Sequence, residues 1–496
     1  MKQFIYLFLS ILVVHIGCGD SDSSGQLPDV VQESGDEIIE DSVEDEPGDS
    51  DEQGVELSDI QPTDSGKEAN SSDTEVPAKA RPNILLIIAD DIGLEASRCY
   101  NVGKNLAPMP NVESLCDRGL VFDNMWSAPI CSPTRAGLLT GRYSYRTGVG
   151  NTILAGHPGL DVAEWSIPKL LDANPSLGYS HACIGKWHLG PQGDKNHPHK
   201  LGFDYFSGLL IGSVQSYMDW KETTNGVTQS NTKYATSHHV DLAIDWVGQQ
   251  SSPWFLWLAL VSPHTPLHLP PANLHTYKDL SGTEEDIAAN SGSYFRAMIQ
   301  AMDTEIGRLF SAIGKEQMEN TVVIYLGDNG SSAIAVEAPY DSKKSKGSLY
   351  QGGIHVPFVM AGPGVSKAPA RSTALTHVVD LFATILDIAG VDWNTLPAEV
   401  EIDSVSLKPL LSGSKDSAHD WVLSEMFGGV GANKTGRTVR NERYKLMRFL
   451  SGVERFYDLK TDPYEQSPLK KKDLDAETQP HFDSLGAILD GLPTLK

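Results

Sequence analysis

Four apolar runs of the chain each end in polar, chemically reactive side chains, and this pattern constrains the fold most strongly. The first run, residues 83–89, is continuously apolar after Asn83, which is typical of a strand buried on both faces of a parallel sheet. Since the carboxyl ends of parallel strands meet at one edge of a sheet, where α/β proteins bind ligands, the pattern predicts an α/β fold with one site at that edge. The other three runs are residues 181–185 before Lys186-Trp187-His188, residues 254–261 before Ser262-Pro263-His264, and residues 321–326 before Gly327-Asp328-Asn329-Gly330.

Helical periodicity between these runs predicts helices that cover the sheet. A boundary follows near Ser412, and the shorter alternating runs beyond it are typical of a small antiparallel sheet. We therefore expect a catalytic domain over residues 81–412 and a small C-terminal domain over residues 413–496. The predicted helices are residues 109–118, 165–173, 240–249, 294–314 and 376–389, and the small domain has predicted strands within 437–449 and 455–459 and a helix at 476–489.

Acidic and amide side chains follow two of the four runs. Asp90 and Asp91 are adjacent at the end of a buried strand, where two carboxylates repel each other unless a positive group lies between them. Oxygen ligands favour Ca²⁺ or Mg²⁺, although an Asp-rich turn or helix cap would explain this pair alone. Asp328 and Asn329 end another run, while the lysine and histidine residues end the remaining two. The chain therefore predicts a site with a metal-binding half and a cationic half.

The stretch from Ala128 to Arg142 indicates a reactive helix start. Pro133 suits the first turn of a helix, so Cys131 is predicted at the helix N-terminus, where free backbone N–H groups favour an anion and acidify a thiol. Arg135 lies one turn later on the same face and brings a fixed positive charge. The alternative is a buried structural cysteine beside an ordinary helix start. Lys346, which precedes Gly347, is a further cation that we expect to face a site rather than solvent.

The first 80 residues are interpreted as a targeting segment and a tether. Lys2, the apolar residues 4–14 and Ile16-Gly17-Cys18 resemble a bacterial lipoprotein signal over residues 1–18, with lipidation of Cys18; a plain signal peptide with an incidental cysteine is the alternative. Residues 19–79 hold 20 acidic residues against two lysines, which is typical of a disordered tether, here residues 19–80. We expect export to the bacterial cell envelope and attachment to a membrane through the lipid.

The remaining charge and the cysteines exclude two classes of protein. Of the net charge of −26, about −9 belongs to residues 80–496, and no basic run is present, so we expect no nucleic-acid partner. There are five cysteines, and if Cys18 is lipidated and Cys131 is reactive, at most one disulfide can form. The chain is therefore not a disulfide scaffold. We expect the other three to be ordinary small apolar residues: Cys99, Cys116 and Cys183.

Several motifs together resemble one known family. Cys-Ser-Pro-Thr-Arg at 131–135 followed by Leu-Thr-Gly-Arg at 139–142 resembles the signature of the type I sulfatases. The similarity covers residues 81–470 and implies an alkaline-phosphatase-like α/β fold: a large mixed β-sheet flanked by helices, and a small C-terminal α+β domain with a four-stranded antiparallel sheet. The other motifs in the order of that family are Asp90-Asp91, Gly185-Lys-Trp-His-Leu-Gly190, Pro263-His264, Gly327-Asp-Asn-Gly330 and Lys346-Gly347.

The resemblance implies a mechanism that uses a modified cysteine. A formylglycine-generating enzyme would convert Cys131 to Cα-formylglycine, whose hydrate has two hydroxyls. One attacks sulfur and expels the alcohol, and the other then releases sulfate and restores the aldehyde. One Ca²⁺ would be bound by Asp90, Asp91, Asp328, Asn329 and the modified residue 131. The remaining implied roles are a contact with the hydrate for Arg135, sulfate binding for Lys186 and Lys346, a general acid for His264, and a base in sulfate release for His188.

The implied activity is a sulfuric ester hydrolase that acts on a sulfated sugar, a polysaccharide or an aryl sulfate. A phosphonate or phosphodiester hydrolase of the same superfamily is the alternative, and a catalytically silent binding protein is a third possibility. Candidate substrate contacts are His197, as opposed to a surface histidine, and Tyr217 or Trp220 in residues 208–237. We interpret that polar segment as an irregular insertion over the site, as opposed to a solvated loop. His355 stands where the family commonly has arginine.

Overall fold

A ten-stranded mixed sheet forms the centre of the protein in the computed structural model, which describes residues 81–366 and 368–495. The strand order is β10-β2-β9-β8-β1-β7-β3-β4-β5-β6. The predictions for the signal, for Cys18 and for the tether lie outside the described residues. The ten strands are β1 (Asn83–Ala89), β2 (Leu120–Trp126), β3 (Ser180–Lys186), β4 (Tyr205–Leu209), β5 (Trp220–Thr224), β6 (Val227–Asn231), β7 (Trp254–Leu260), β8 (Thr321–Gly327), β9 (Phe358–Ala361) and β10 (Ala370–His377).

The four apolar runs form the centre of this sheet. β1 pairs in parallel with β7 on one side and with β8 on the other, and β3 pairs in parallel with β7. Every residue of β1, β7 and β8 is buried, as their uninterrupted apolar sequences predict. The four carboxyl ends therefore lie at the same edge of the sheet, which confirms the predicted arrangement.

Alternate residues of β1 face two separate hydrophobic cores. Ile84, Leu86 and Ile88 belong to the core that includes α2, α4 and α11, whereas Leu85 and Ile87 belong to the core that includes α1, α6 and α8. Helices on both faces thus exclude water from the central strands. The α-helices are α1 (Pro110–Arg118), α2 (Cys131–Thr140), α3 (Ser144–Thr147), α4 (Ile167–Asp172), α5 (His197–Lys200), α6 (Ala235–Gly248), α7 (Glu284–Ala289), α8 (Ser291–Ile313), α9 (Lys315–Glu319), α10 (Gln351–Ile354), α11 (Asp380–Ala389), α12 (Lys408–Leu411) and α13 (Gln479–Asp490).

Two local predictions are wrong. Residues 208–237 are not an irregular insertion, because β5 and β6 form an antiparallel hairpin that extends the sheet beyond β4. Their polar composition reflects a position at the sheet edge, where β6 is largely exposed. The helix predicted over residues 376–389 begins only at Asp380, since Thr376 and His377 complete β10 beside β2.

A second, four-stranded antiparallel sheet forms the C-terminal part, as expected. Its order is β11-β12-β13-β14, and it continues the same compact unit as the large sheet. Leu446 on one face packs with Phe482 and Leu485 of α13, whereas Met447 and Tyr457 on the other face pack in one cluster with Cys131. The small sheet therefore covers the start of α2. Its strands are β11 (Val422–Met426), β12 (Gly436–Arg440), β13 (Tyr444–Phe449) and β14 (Glu454–Asp458).

One pair of cysteines differs from the prediction. Cys99 and Cys116 form a disulfide, whereas Cys131 and Cys183 are free and buried. The prediction that Cys99 and Cys116 are ordinary apolar residues is therefore wrong, although the limit of one disulfide holds among the described residues. The bond ties the loop after β1 to α1.

Within residues 81–366 and 368–495, none of the helices combines the length and the apolar character needed to cross a membrane.

Candidate active site

Acidic side chains from the ends of β1 and β8 form one buried cluster. The backbone N–H of Asp91 donates to Asp328 Oδ1 at 3.1 Å, and Asn329 Nδ2 donates to Asp91 Oδ1 at 2.9 Å. Asp90, Asp328 and Asn329 are completely buried, and Asp91 is buried with a left-handed φ of 67°. Such a backbone conformation in a residue other than glycine is costly and is common at functional sites. The parallel pairing of β1 with β8 thus brings together residues almost 240 positions apart.

The cluster has the donors that a hard divalent cation requires. Asp90 Oδ1 and Asn329 Oδ1 are buried and have no hydrogen-bond partner among the described residues. Potential ligand atoms of Asp90, Cys131 and Asp328 lie within 4.8 Å of one another. Because unpartnered buried oxygens are costly and carboxylate and amide oxygens are the ligands of Ca²⁺ and Mg²⁺, these residues fit such an ion.

Cys131 is the first residue of α2, as the sequence predicts. Its side chain is buried, and its Sγ lies 3.3 Å from His188 Nδ1. Burial alone would raise the pKa of this thiol, but Lys186, Lys346 and Arg135 outweigh that effect, so that the pKa lies below its ordinary value. The position therefore favours an anionic group.

Arg135 connects Cys131's helix to the acidic cluster. Its Nε and Nη2 donate to Asp328 Oδ2 at 3.2 and 2.8 Å, and its Nη1 donates to the backbone oxygen of Lys186 at 2.8 Å. The guanidinium is completely buried. Burial and the neighbouring Asp90 nevertheless raise the pKa of Asp328. The Arg135 side chain is thus fixed between the ends of β3 and β8.

Two lysines complete the cationic half. Lys186, at the end of β3, places Nζ 2.5 Å from Asp90 Oδ2, and Lys346 forms an ion pair with Asp91 Oδ1. Lys346 comes from the loop after β8, which is held by hydrogen bonds from Lys346 N to Ser331 O and from Gly347 N to Pro129 O. Burial would lower the pKa of Lys346, but Asp91 and the Cys131 thiolate raise it. This geometry agrees with the prediction that Lys346 faces a site.

The two predicted acid–base histidines lie on different sides of this cluster. Burial and the positive charges of Lys186 and Arg135 hold the pKa of His188 well below its ordinary value, so the ring is neutral near pH 7. His264 is partly exposed, with Nε2 3.8 Å from Asp91 Oδ2 and Nδ1 2.7 Å from the backbone oxygen of Thr265. One neutral base and one solvent-accessible imidazole are therefore available.

Two of the predicted substrate contacts are wrong. His197 is buried and inaccessible, because its Nδ1 accepts from Trp187 Nε1 at 3.1 Å and its Nε2 donates to Leu160 O at 2.9 Å. Tyr217 is also buried, and its hydroxyl lies 2.7 Å from the backbone oxygen of His264 and 2.9 Å from that of Val261. Both side chains support the site from within rather than bind a substrate.

Trp220 differs from these two. Its ring is largely buried and its Nε1 donates to Lys233 O at 3.0 Å, yet it lines a cavity of about 560 Å³ that also includes His188. A contact between the Trp220 ring and a substrate stays a prediction.

Two further features could not be predicted from any sequence motif. Ser331 binds the backbone of both Gly93 and Lys346, although no motif marks it. Asp172, His181 and Asp204 form a second acid–histidine group at the other end of β3, with both aspartates exposed. This group lies at the amino end of β3, whereas the buried cluster lies at its carboxyl end.

The chain resembles known proteins over most of its length. The Sulfatase family model matches residues 82–391, and a model described as N-sulphoglucosamine sulphohydrolase, C-terminal, matches residues 343–484. Rat arylsulfatase G is 27% identical over 471 residues, covering 81% of this chain and 84% of its own. Human N-acetylgalactosamine-6-sulfatase is 29% identical over 367 residues, covering 66% of each chain.

Solved structures agree with the fold. The crystal structure of Ps i-CgsB has a TM-score of 0.70 at 24% identity and covers 82% of this chain and 92% of its own. The PsFucS1 sulfatase from Pseudoalteromonas sp. has a TM-score of 0.65 at 22% identity, covering 83% of this chain and 90% of its own.

Proposed function

The chain belongs to the sulfatase family and is a sulfuric ester hydrolase, and we propose that it cleaves sulfated sugars with a formylglycine derived from Cys131. The observation that carries this mechanism is the position of Cys131. Its Sγ lies at a helix N-terminus beside His188, in the combined field of three buried or partly buried cations. In this proposal Sγ stands for the oxygens of the formylglycine hydrate, which would supply the nucleophile that attacks sulfur.

The residues around Cys131 would bind the sulfate group and transfer the protons of the reaction. Lys186 and Lys346 would bind sulfate oxygens, since both ammonium groups already contact carboxylate oxygens in this cluster. His188 would accept a proton from modified residue 131, because its Nδ1 lies at hydrogen-bond distance from Cys131 Sγ and the ring is neutral near pH 7. His264 would donate a proton to the leaving alcohol from the partly exposed side.

We also propose that the metal ion is Ca²⁺. Asp90, Asp91, Asp328 and Asn329 would hold it, with an oxygen of modified residue 131 completing the set. The two unpartnered oxygens, of Asp90 and Asn329, support this assignment. A bound Ca²⁺ would supply positive charge that orients the sulfate group and the oxygens of residue 131.

A sugar as the alcohol part of the substrate is supported by the relatives. Human N-acetylgalactosamine-6-sulfatase is named for a sulfated amino sugar, and the C-terminal model that matches residues 343–484 is named for a sulphoglucosamine. Both matches include residues of the site described above. We propose a sulfated sugar or polysaccharide as the natural substrate and aryl sulfates as convenient assay substrates.

Mass spectrometry of the peptide that contains Cys131 tests the mechanism. Active protein from the native host should carry formylglycine at this position, and Cys131→Ala should lose at least about a thousandfold in kcat/KM. Active protein with only an unmodified thiol would contradict the proposal. Parallel assays on 4-nitrophenyl sulfate and on a 4-nitrophenyl phosphonate or phosphodiester distinguish sulfate ester hydrolysis from the alternative activity. Faster hydrolysis of the phosphorus substrate would favour the alternative.

We further propose that the protein is exported and attached to a membrane through a lipid on Cys18. The signal-like residues 1–18 support export, and so does the Cys99–Cys116 disulfide, because such bonds persist in oxidising compartments. Cys18→Ala should release the protein from the membrane fraction, and unchanged fractionation would contradict the anchor.

A further inference from the structure

A cleft of about 430 Å³ lies between the Lys346 loop and the small C-terminal sheet. Its walls come from two parts of the chain: the loop after β8 supplies Lys343 and Lys346, whereas the C-terminal part supplies Lys434, in the turn before β12, and Arg455 of β14. A cleft of this size accommodates one or two sugar units, as small-molecule sites of 300–1,000 Å³ do.

The lining of this cleft is strongly positive. Its four charged side chains are all cationic, and no aspartate or glutamate is among its lining residues. This is unexpected, because the chain carries a net charge of −26 and residues 80–496 are themselves acidic. A cleft lined by one sign of charge concentrates counter-ions of the opposite sign.

Three of these cations have no ion-pair partner within the described part of the chain. Lys343, Lys434 and Arg455 form no ion pair or side-chain hydrogen bond with any described residue, and Lys343 and Lys434 are exposed. By contrast, Arg443, which precedes β13, and Arg448, within β13, each bind two carboxylates. The structure therefore leaves the charges of the cleft available for an external anion.

The cleft shares Lys346 with the active site. Lys346, which pairs with the metal-site residue Asp91, lines one end, and Leu349 belongs both to the cleft and to the apolar cluster around Cys131. Tyr350 and Phe449 add partly buried aromatic rings to the wall. Aromatic rings offer apolar surface for the C–H face of a sugar, whereas the cations suit its charged substituents.

We propose that this cleft binds a second anionic group, on a sugar next to the one that carries the scissile sulfate. The proposal rests on the proposed sulfatase function and specifies its substrate class as polyanionic glycans with more than one sulfate or carboxylate. Lys434 and Arg455 are specificity residues in this scheme, because they lie beyond the reacting group and act on substrate binding alone.

Inhibition of 4-nitrophenyl sulfate hydrolysis by dextran sulfate tests the cleft. We expect the double variant Lys434→Gln/Arg455→Gln to raise the inhibition constant of dextran sulfate by about tenfold per residue, since a charge-assisted hydrogen bond is worth roughly a factor of ten or more. Hydrolysis of 4-nitrophenyl sulfate itself should stay within about twofold of the wild type, because this small ester does not extend to Lys434 or Arg455. Neutral dextran should inhibit neither protein.

The matched control is Lys415→Gln/Lys472→Gln, which removes the same charge from exposed lysines outside the cleft. It should keep the wild-type inhibition constant, and thermal unfolding should show that both double variants are folded. An unchanged inhibition constant in Lys434→Gln/Arg455→Gln, or an equal increase in the control, would overturn the proposal.

Calorimetric titration with dextran sulfate tests binding in the cleft separately from sulfate ester hydrolysis. If the mature protein hydrolyses no sulfate ester, the proposed function fails, but weaker binding of dextran sulfate by Lys434→Gln/Arg455→Gln than by the wild type still supports the cleft. Equal binding by both proteins rejects the cleft whatever the activity is.

Discussion

Arg135 binds a single oxygen of Asp328 through two of its nitrogens, Nε at 3.2 Å and Nη2 at 2.8 Å, with both side chains completely buried. The pair joins the helix that begins at Cys131 to the end of β8, which is followed by two of the five proposed metal ligands, Asp328 and Asn329. A buried arrangement of this kind contributes geometry as much as stability, because desolvation offsets much of its Coulomb energy.

Replacing Arg135 should separate geometry from charge. Arg135→Lys keeps the charge but loses the two-nitrogen contact, so we expect kcat/KM to fall about 100-fold with a small change in unfolding free energy. Arg135→Ala leaves the buried carboxylate of Asp328 without its ion-pair partner and should destabilise the protein by about 3–5 kcal/mol. Kinetics on 4-nitrophenyl sulfate and urea unfolding measure the two effects. Arg443→Lys, which alters a similar pair with Asp458 in the small sheet, should leave the kinetics unchanged.

Calcium should stabilise the folded protein independently of turnover. If the acidic cluster binds Ca²⁺, then adding the ion at 100 times its Kd to chelator-treated protein should stabilise the fold by about 2.7 kcal/mol. Asn329→Ala should weaken this effect, since it removes one of the unpartnered oxygens. Differential scanning calorimetry measures the shift. Asp204→Asn, in the exposed acid–histidine group, serves as the control, and an identical loss in both variants would contradict the assigned site.

Tyr217 should act through the position of His264. Its hydroxyl contacts the backbone oxygens of Val261 and His264, which flank the turn that presents the His264 imidazole. Tyr217→Phe should lower kcat for alkyl sulfates about tenfold and affect 4-nitrophenyl sulfate less, because a poor leaving group depends more on a correctly placed acid. A uniform rise in KM with unchanged kcat would instead indicate a direct substrate contact.

His355 should make stability depend on pH below neutrality. Burial, with the charges of Arg440 and Lys445, lowers its pKa to about 4 from an ordinary value of 6.5. Between those values the unfolded chain binds the proton and the folded one does not, so stability falls as pH decreases from 6.5 to 4. His355→Gln should reduce this slope by up to about 1.4 kcal/mol per pH unit. Urea unfolding at several pH values measures it, and above pH 7 the difference between the two proteins should be constant.

The central sheet and the acidic half of the site follow from the sequence because burial on both faces leaves a continuous apolar run. Where such a run ends, as at Asp90 and Asp328, the next residues must lie at the sheet edge. The β5–β6 hairpin could not be predicted in this way, since an edge hairpin such as residues 220–231 needs little apolar sequence. The hydrogen bond from the Tyr217 hydroxyl to the backbone of His264 could not be predicted either, because the sequence does not show which backbone oxygen a tyrosine hydroxyl will contact.

The path of the Lys346 loop was equally hidden from sequence. Gly330 lies so close to Gly352 that a Cβ at position 330 would come within 1.8 Å of the Gly352 oxygen. This close approach brings the two ends of the loop together, and two glycines 22 residues apart in the sequence do not indicate such a contact. The lysine could be recognised as unusual, but its partner Asp91 could be identified only from the fold.

If Cys131 is oxidised to formylglycine, as proposed, its burial sets an order of events for the maturation of the protein. In the folded chain its side chain is 3% exposed, beneath Met447 and Tyr457 of the small sheet. The proposed modifying enzyme would then have to reach the thiol before β13 and β14 cover it, and both strands are synthesised long after residue 131. The proposed modification would then compete in time with folding, and a variant that folds faster would emerge as a stable but incompletely matured protein.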